Sequence, residues 1–157
     1  MDQKTVINDA VREDIRNSVL CWLATVDEDG QPNVSPKEIF TDHGDNVILI
    51  ADIASPVSVR NIQRQPLVCV SFVDVFRQRG FKIAGCARLI PPEHPEFAFA
   101  GARLQALAGE DFKVRQAIYV TATRISRIWA PSYALFPDRT IEEQQARSYA
   151  TYGVRPG

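Results

Sequence analysis

The chain is short of the residues that mark several classes of protein. Its 157 residues include three cysteines, two histidines and one methionine. Cys21, Cys69 and Cys86 are too few and too widely spaced for a disulfide framework, and each sits in an apolar run, which predicts three buried free thiols. His43 and His94 lie in predicted turns without a partner at metal-ligand spacing, so we predict surface positions for both and no metal site.

The chain also lacks an excess of charge of either sign, with a formal net charge of −1. Binding to nucleic acid as the main partner needs a strong basic excess, so we expect no such partner. The longest apolar runs, such as 47–51, are too short to span a bilayer. Charges interrupt residues 1–16, which therefore do not resemble a signal peptide. These features predict a cytoplasmic protein without a membrane partner, folded as a single domain over residues 1–157.

Turn and periodicity signals divide the chain into short strands and a few helices. Helices are predicted at 8–18, 55–64, 96–108 and from residue 140, where Thr140 and Glu143 have the spacing of a capping box. Strands are predicted at 20–26, 31–40, 47–51, 67–75, 80–90 and 117–129. Pro32 and Pro36 remove two backbone donors from the second strand, which favours an edge position. Six strands joined mostly by short turns predict a mainly β (α+β) fold, an antiparallel barrel with flanking helices.

The most informative stretch, residues 51–61, runs from the third strand into the second helix. Ser55 and Ser58 fall on the first helical turn, and Arg60 follows closely. Free amides at a helix start, two hydroxyls and a guanidinium together suit a phosphate. The competing interpretation is an ordinary N-cap by Ser55 with Arg60 on a solvated face, and these residues alone slightly favour it. No P-loop or GxGxxG sequence is present, which excludes the common nucleotide motifs.

Three further residues are candidates to face a ligand. Lys37 follows the prolines of the second strand. Lys82 lies between Gly80 and Gly85, and glycines inside a strand predict the close approach of a ligand or of another backbone. A single lysine on a strand more often belongs to a solvated face. Trp129 ends the last strand and could stack near a planar ligand, although such a tryptophan more often packs in a core or an interface.

In their order, these motifs resemble the pyridoxamine 5'-phosphate oxidase-related, FMN-binding split-barrel proteins. The similarity covers residues 11–130 through the segments LATVDEDGQPNVSPKEIF, VILIADIASPVSVRNIQRQPLVCVSF, GFKIAGCARLI and RISRIWAPSY. The resemblance implies a six-stranded antiparallel Greek-key split barrel. It also implies a homodimer that holds FMN at the subunit interface, and a small-molecule redox partner.

The resemblance further implies roles for individual residues. The residues implied along the ring system and ribityl chain are Ser35, Lys37, Ala51 and Asp52. The residues implied at the phosphate are Ser55, Ser58, Val59, Arg60 and Asn61. Lys82 would reach the flavin or its phosphate from the fifth strand, and Trp129 resembles the tryptophan that closes the site.

The chain departs from this family where the true oxidases bind their substrate. Ser58 stands where many relatives carry lysine, and the basic residues of the second strand are replaced around Ser35. The Arg-x-His-Asp-Arg-like segment near the C-terminus is absent, and no histidine follows His94. Pyridoxamine 5'-phosphate is therefore not the expected substrate.

The prediction for function is an FMN-dependent oxidoreductase whose catalytic residues are unassigned. One alternative is a non-catalytic flavin carrier or redox sensor, which the missing substrate segment favours. Another is a barrel that holds deazaflavin or haem, since a fold does not determine its ligand. Haem is disfavoured because His43 and His94 are the two imidazoles available.

Overall fold

An antiparallel sheet organises residues 5–157, the part of the chain that the computed structural model describes. The seven strands are β1 (Cys21–Val26), β2 (Pro32–Lys37), β3 (Phe40–His43), β4 (Val47–Asp52), β5 (Leu67–Asp74), β6 (Arg79–Ile90) and β7 (Gln116–Trp129). The five helices are α1 (Asp9–Arg16), α2 (Pro56–Arg64), α3 (Phe97–Ala108), α4 (Ser132–Leu135) and α5 (Ile141–Tyr152). The strand order β2-β1-β5-β6-β7-β4-β3 makes a curved half-barrel with flanking helices, which confirms the predicted fold class. The part of the N-terminal prediction that concerns residues 1–4 lies outside the described residues.

The structure corrects the predicted strand count from six to seven. Residues 31–40, predicted as one strand, form β2 and the start of β3, and β3 continues through residues predicted as a turn. The break falls at 38–39, where the Ile39 carbonyl accepts a hydrogen bond of 2.9 Å from the Ala51 amide. Before the break, β2 pairs with β1, and after it β3 pairs with β4. β2 is an edge strand, as its prolines predicted.

The concave side of the sheet holds the main hydrophobic core. Alternate residues of the strands point into it, among them Leu23, Val70 and Ile83, which are fully buried. Val11 from α1 and Ile62 from α2 pack into the same cluster, so these two helices close the half-barrel. Burial of these apolar side chains is the main source of stability for the sheet.

The convex side of the sheet is covered over only part of its area. α3 packs Ala100 and Leu104 against β4 and β7 in a second cluster of buried residues. On β1, β2 and β5 the outward side chains of Trp22, Val34 and Leu67 are instead exposed. We call this uncovered part of the convex side the open face. A large apolar surface of this kind is a common mark of an interaction site.

Two glycines of β6 let neighbouring strands approach closely, as the sequence predicted. A Cβ atom at Gly80 would overlap the carbonyl oxygen of Phe72 on β5. A Cβ atom at Gly85 would lie 2.5 Å from the carbonyl oxygen of Thr121 on β7. In both cases the nearest atom belongs to the backbone of the neighbouring strand, so a side chain at either position would force the two strands apart.

A group of charges ties α1 to one end of β6 and β7. The side chain of Asp14 is fully buried, and its two oxygens accept hydrogen bonds from Arg79 Nε at 3.1 Å and Arg127 Nη1 at 2.5 Å. The neighbouring Glu13 accepts from Arg77 Nη1 at 2.7 Å but is half exposed. The hydrogen bond from Arg77 lowers the pKa of Glu13 below its ordinary value. Because Asp14 is out of contact with water, its two arginine partners must offset the desolvation cost of its buried charge.

The prediction of three buried thiols is wrong for Cys86, which is exposed, and Cys69 is only partly buried. Cys86 belongs to the outward-facing residues of β6, together with Lys82 and Arg88. An apolar sequence run does not reveal which face of a strand a residue occupies, and this is why the prediction failed. Cys21 is buried, and burial raises its pKa to about 12.

The C-terminal helices pack on the turn between β5 and β6. Phe76 in that turn lies 4.8 Å from the ring of Tyr149, and the Tyr133 hydroxyl donates to the Arg77 carbonyl at 2.6 Å. α5 begins with the predicted capping box, in which Thr140 accepts from the amide of the third helical residue. None of the helices in residues 5–157 has both the length and the apolar composition that crossing a bilayer requires.

Candidate functional site

A cleft of about 520 Å³ lies where the end of β2 meets the β4–α2 loop and the C-terminal end of α3. Its polar side chains include Ser35, Lys37 and Ser55, and its apolar ones include Ile39, Ile53 and Phe112. A concave site that combines apolar walls with a few convergent polar groups is the usual form of a small-molecule site.

Lys37 is the most informative residue of the cleft. Its side chain is only 8% exposed, and its Nζ donates to the Ser55 hydroxyl oxygen. Among residues 5–157 it forms no ion pair. Burial lowers the pKa of Lys37, while the nearby negative charge of Asp52 acts in the opposite direction. A buried ammonium without a bonded carboxylate is costly for the free protein and is stabilised by an anionic ligand.

Asp52 holds the loop that carries Ser55. Its carboxylate is buried and accepts hydrogen bonds from the Ser55 amide at 3.0 Å and from Gln116 Nε2 at 2.8 Å. Both carboxylate oxygens are therefore engaged within the protein. Asp52 fixes the geometry of the loop, and its charge partly offsets that of Lys37.

The Ser55 side chain does not cap the first turn of α2, so the interpretation of Ser55 as an ordinary N-cap is wrong. Ser55 occupies the N-cap position, but its side chain makes no capping hydrogen bond and accepts from Lys37 instead. Pro56 at the first helical position has no N–H to satisfy. The amides of Val57 and Ser58 thus lack a side-chain cap among the described residues. Such amides, at the positive end of the helix dipole, favour an anion.

The next residues of α2 point in different directions. Arg60 is exposed, and Val59 is partly buried. Asn61 is buried, and its Nδ2 donates to the Thr25 hydroxyl on β1 at 3.0 Å. This hydrogen bond ties α2 to the sheet, so Asn61 sets where the start of the helix lies.

Lys82 and Trp129 do not line this cleft. Lys82 is exposed on the convex side of β6, between Ser71 of β5 and Ser126 of β7. The ring of Trp129 is half exposed, lies 4.8 Å from that of Tyr133, and has the guanidinium of Arg127 at 4.3 Å from its centre. Within one subunit, the structure brings four of the predicted site residues together in the cleft lining, namely Ser35, Lys37, Ala51 and Ser55. The other predicted residues do not line it: Asp52, Ser58, Val59, Arg60, Asn61, Lys82 and Trp129.

The structure adds cleft residues that the sequence did not indicate, above all Phe112 and Ala108. Neither belongs to a motif, and Phe112 lies in a polar segment between α3 and β7. The nearby Gly109 does carry a signal, since it follows a helix and has a positive φ of 74°. It marks where the chain turns but not which side chain reaches the cleft.

The two histidines have no role in this cleft. Both histidines are partly exposed, and the ring of His43 also packs 5.4 Å from that of Phe99 and 5.8 Å from that of Tyr119. Within residues 5–157 no group of three His, Cys, Asp or Glu side chains is arranged to hold a metal ion.

The curved antiparallel sheet, closed by α1 and α2 and bearing a cleft beside the start of α2, defines a protein of the split-barrel class. The family model described as pyridoxamine 5'-phosphate oxidase matches residues 7–129. The chain belongs to the pyridoxamine 5'-phosphate oxidase family.

Solved structures of this fold resemble the chain over about three quarters of its length. The HupZ protein of Group A Streptococcus is 25% identical, with a TM-score of 0.68 over 79% of this chain and 95% of its own. An FMN-binding protein from Syntrophomonas wolfei is 17% identical, with a TM-score of 0.64 over 76% and 84%. An F420 reductase is 22% identical, with a TM-score of 0.57 over 76% and 98%. No curated protein matched the chain.

Proposed function

We propose that this protein binds FMN through its phosphate and is an FMN-dependent oxidoreductase that does not act on pyridoxamine 5'-phosphate. The observation that carries the proposal is the buried Lys37 ammonium, which forms no ion pair within residues 5–157 and lies beside the uncapped start of α2. A phosphate supplies the negative charge that this arrangement favours. Membership of the family and the fold shared with an FMN-binding protein support flavin as the carrier of that phosphate.

The chain's own residues divide into those that touch the cofactor and those that position them. Lys37, Ser55 and the first-turn amides of α2 hold the phosphate. The family resemblance adds Ser58, which is buried, and Arg60, which is exposed on the same helix. Ser35, Ala51 and Val59 lie along the cofactor, while Asp52 and Asn61 hold the loop and helix in place. When bound, FMN supplies the two-electron redox chemistry.

Arg60 offers a direct test of the phosphate assignment. Replacing it with alanine removes a charge-assisted hydrogen bond, and we expect the FMN dissociation constant to rise by roughly 10-fold to 100-fold. Fluorescence titration of FMN measures the effect. Arg64→Ala is the matched control, since Arg64 lies one turn further along α2 and pairs with Glu28 on the surface. Equal affinities of wild type and Arg60→Ala would remove Arg60 from the site.

We also propose that a second copy of the chain covers the open face. A single row of paired residues runs across it from Pro36 through Trp22 and Ser71 to Lys82, on β2, β1, β5 and β6. Lys82 is thus on the surface that the partner covers. In such a homodimer Lys82 would lie at the subunit interface, where it could reach the partner's cofactor.

Charge introduced into the open face should break this dimer. We expect wild type to elute as a dimer in size-exclusion chromatography with light scattering, and Trp22→Glu to elute as a monomer, because the buried carboxylate has no partner there. Phe99→Glu, on the exposed side of α3, is the control and should remain dimeric. A monomeric wild type, or a dimeric Trp22→Glu variant, contradicts the proposed interface.

A non-catalytic flavin carrier or redox sensor is the second candidate function. Lys37 and Glu38 are the only titratable side chains among the cleft residues, so the cleft offers few groups for acid–base chemistry. Steady oxidation of NADH or NADPH well above the rate with free FMN supports the enzyme, and tight binding without turnover supports the carrier. We assign either form to the cytoplasm, where an exposed thiol such as Cys86 stays reduced.

A further inference from the structure

The segment between α3 and β7 folds over one side of the Lys37 cleft. α3 ends at Ala108, and Gly109 turns the chain with a φ of 74°, a conformation that favours glycine. Phe112 then reaches the cleft while remaining 55% exposed. An aromatic ring this open to water at the edge of a cleft has apolar surface left for a ligand to cover.

The side chain of Gln105 holds this segment in shape. Its Nε2 donates to the carbonyl oxygens of Gly109 at 2.8 Å and Phe112 at 2.7 Å. Its Oε1 accepts from the Val114 amide at 3.0 Å. One amide side chain therefore satisfies three backbone groups of a segment that has no regular structure, and it fixes the backbone from which the Phe112 ring projects.

The far end of the segment is fastened to the loop that carries the anion site. The Arg115 amide donates to the Asp52 carbonyl at 2.9 Å, and Gln116 Nε2 donates to the Asp52 carboxylate. The same carboxylate accepts from the Ser55 amide. Phe112 and the Lys37–Ser55 pair are thus held by one continuous set of hydrogen bonds.

We propose that Phe112 is a specificity-determining residue that packs on the aromatic ring system of the ligand whose phosphate Lys37 holds, and that Gln105 is its positioning residue. The inference rests on the proposed function. The cleft lining combines a cation, Lys37, with apolar side chains, among them Ile39, Ile53 and Phe112. A ligand that fills both parts carries an anionic group and a flat apolar body, which is the chemistry of FMN and not of a simple sugar phosphate.

The test compares ligands with and without the ring. FMN binding is followed by fluorescence, and ribitol 5-phosphate, which has the chain and phosphate but no ring, is measured by competition. For Phe112→Ala we expect the FMN dissociation constant to rise about tenfold, while that of ribitol 5-phosphate stays within about twofold. Phe99→Ala is the matched control, because Phe99 is 63% exposed on α3 but does not line the cleft.

Gln105→Ala tests the positioning role. We expect it to weaken FMN binding but to add nothing further in the Phe112→Ala background, since it acts through that ring. Additive losses in the double variant overturn the positioning role. Thermal unfolding without ligand shows whether Gln105→Ala still folds. Gln105→Glu keeps the acceptor for Val114 but sets a carboxylate oxygen against the Gly109 and Phe112 carbonyls, so it should weaken FMN binding at least as much as Gln105→Ala.

The outcomes separate this inference from the proposed function. If wild type binds FMN and Phe112→Ala binds it equally well, the role of Phe112 is overturned and the flavin site stands. If ribitol 5-phosphate loses as much affinity as FMN, Phe112 does not act on the ring. If wild type fails to bind FMN at all, the proposed function is overturned and this inference with it.

Discussion

Replacing Lys37 with methionine should abolish most FMN binding and, at the same time, stabilise the protein without ligand. Methionine fills a similar volume but cannot neutralise a phosphate, and truncating one partner of a buried charge pair costs 2–5 kcal/mol or more, so we expect a loss of about 100-fold in affinity. Among the residues that the structure describes, the buried ammonium has no ion-pair partner, and removing it relieves a desolvation cost. FMN titration and thermal unfolding without ligand measure the two effects.

Lys113→Met is the matched control for this variant. Lys113 is exposed next to Phe112 in the sequence but does not line the cleft, so both affinity and unfolding temperature should stay near those of wild type. If Lys37→Met binds FMN as tightly as wild type, the phosphate does not sit at Lys37 and the site lies elsewhere.

The pH dependence of binding gives an independent check. The protonated form of Lys37 binds the anion, so affinity falls as pH rises through its pKa. Burial lowers that pKa in the free protein, and the loss should begin at a lower pH than for a lysine of ordinary pKa. The same loss should be missing in Lys37→Met, and an identical pH profile in both proteins contradicts the assignment.

The second large effect is expected on stability, at Asp14. Asp14→Ala removes the buried carboxylate that pairs with Arg79 and Arg127 and leaves Arg79 only the longer contact with Glu13 at 3.6 Å. Breaking a buried pair in this way costs about 3–5 kcal/mol. Urea denaturation measures the change in the free energy of unfolding. Because these bonds join α1 to β6 and β7, the loss affects the closure of the half-barrel.

Glu13→Gln is the comparison for Asp14→Ala. Glu13 also pairs with an arginine, Arg77, but its side chain is half exposed, so we expect a change of about 1 kcal/mol or less. Similar changes at both positions would mean that the burial of Asp14 does not set the strength of its pairs. An Asp14→Ala variant as stable as wild type would falsify the account of this cluster.

Much of the fold could be predicted because period-two alternation and turn residues are local properties. Both ends of β5 and of β6 were predicted within one residue, and the capping box at Thr140 was identified from two side chains. The division of residues 31–40 into two strands could not be predicted. It depends on the hydrogen bond between Ile39 and Ala51, which come together only in the folded chain.

The candidate site could be predicted in part for the same reason. The helix start at Ser55 and the basic residue Lys37 carry local signals, and the structure brings them into contact. Phe112 could not be found, since its position depends on the three backbone groups that the Gln105 side chain holds. The exposure of Cys86 was missed because an apolar run does not define the face of a strand.

The central claim is that this chain binds FMN, and an absorption spectrum tests it most directly. The purified protein is incubated with excess FMN, desalted, and measured for flavin absorbance per chain. The account predicts close to one FMN per chain in wild type and almost none in Lys37→Met. A wild-type protein that leaves the column colourless, with all the flavin in the salt fraction, would contradict it.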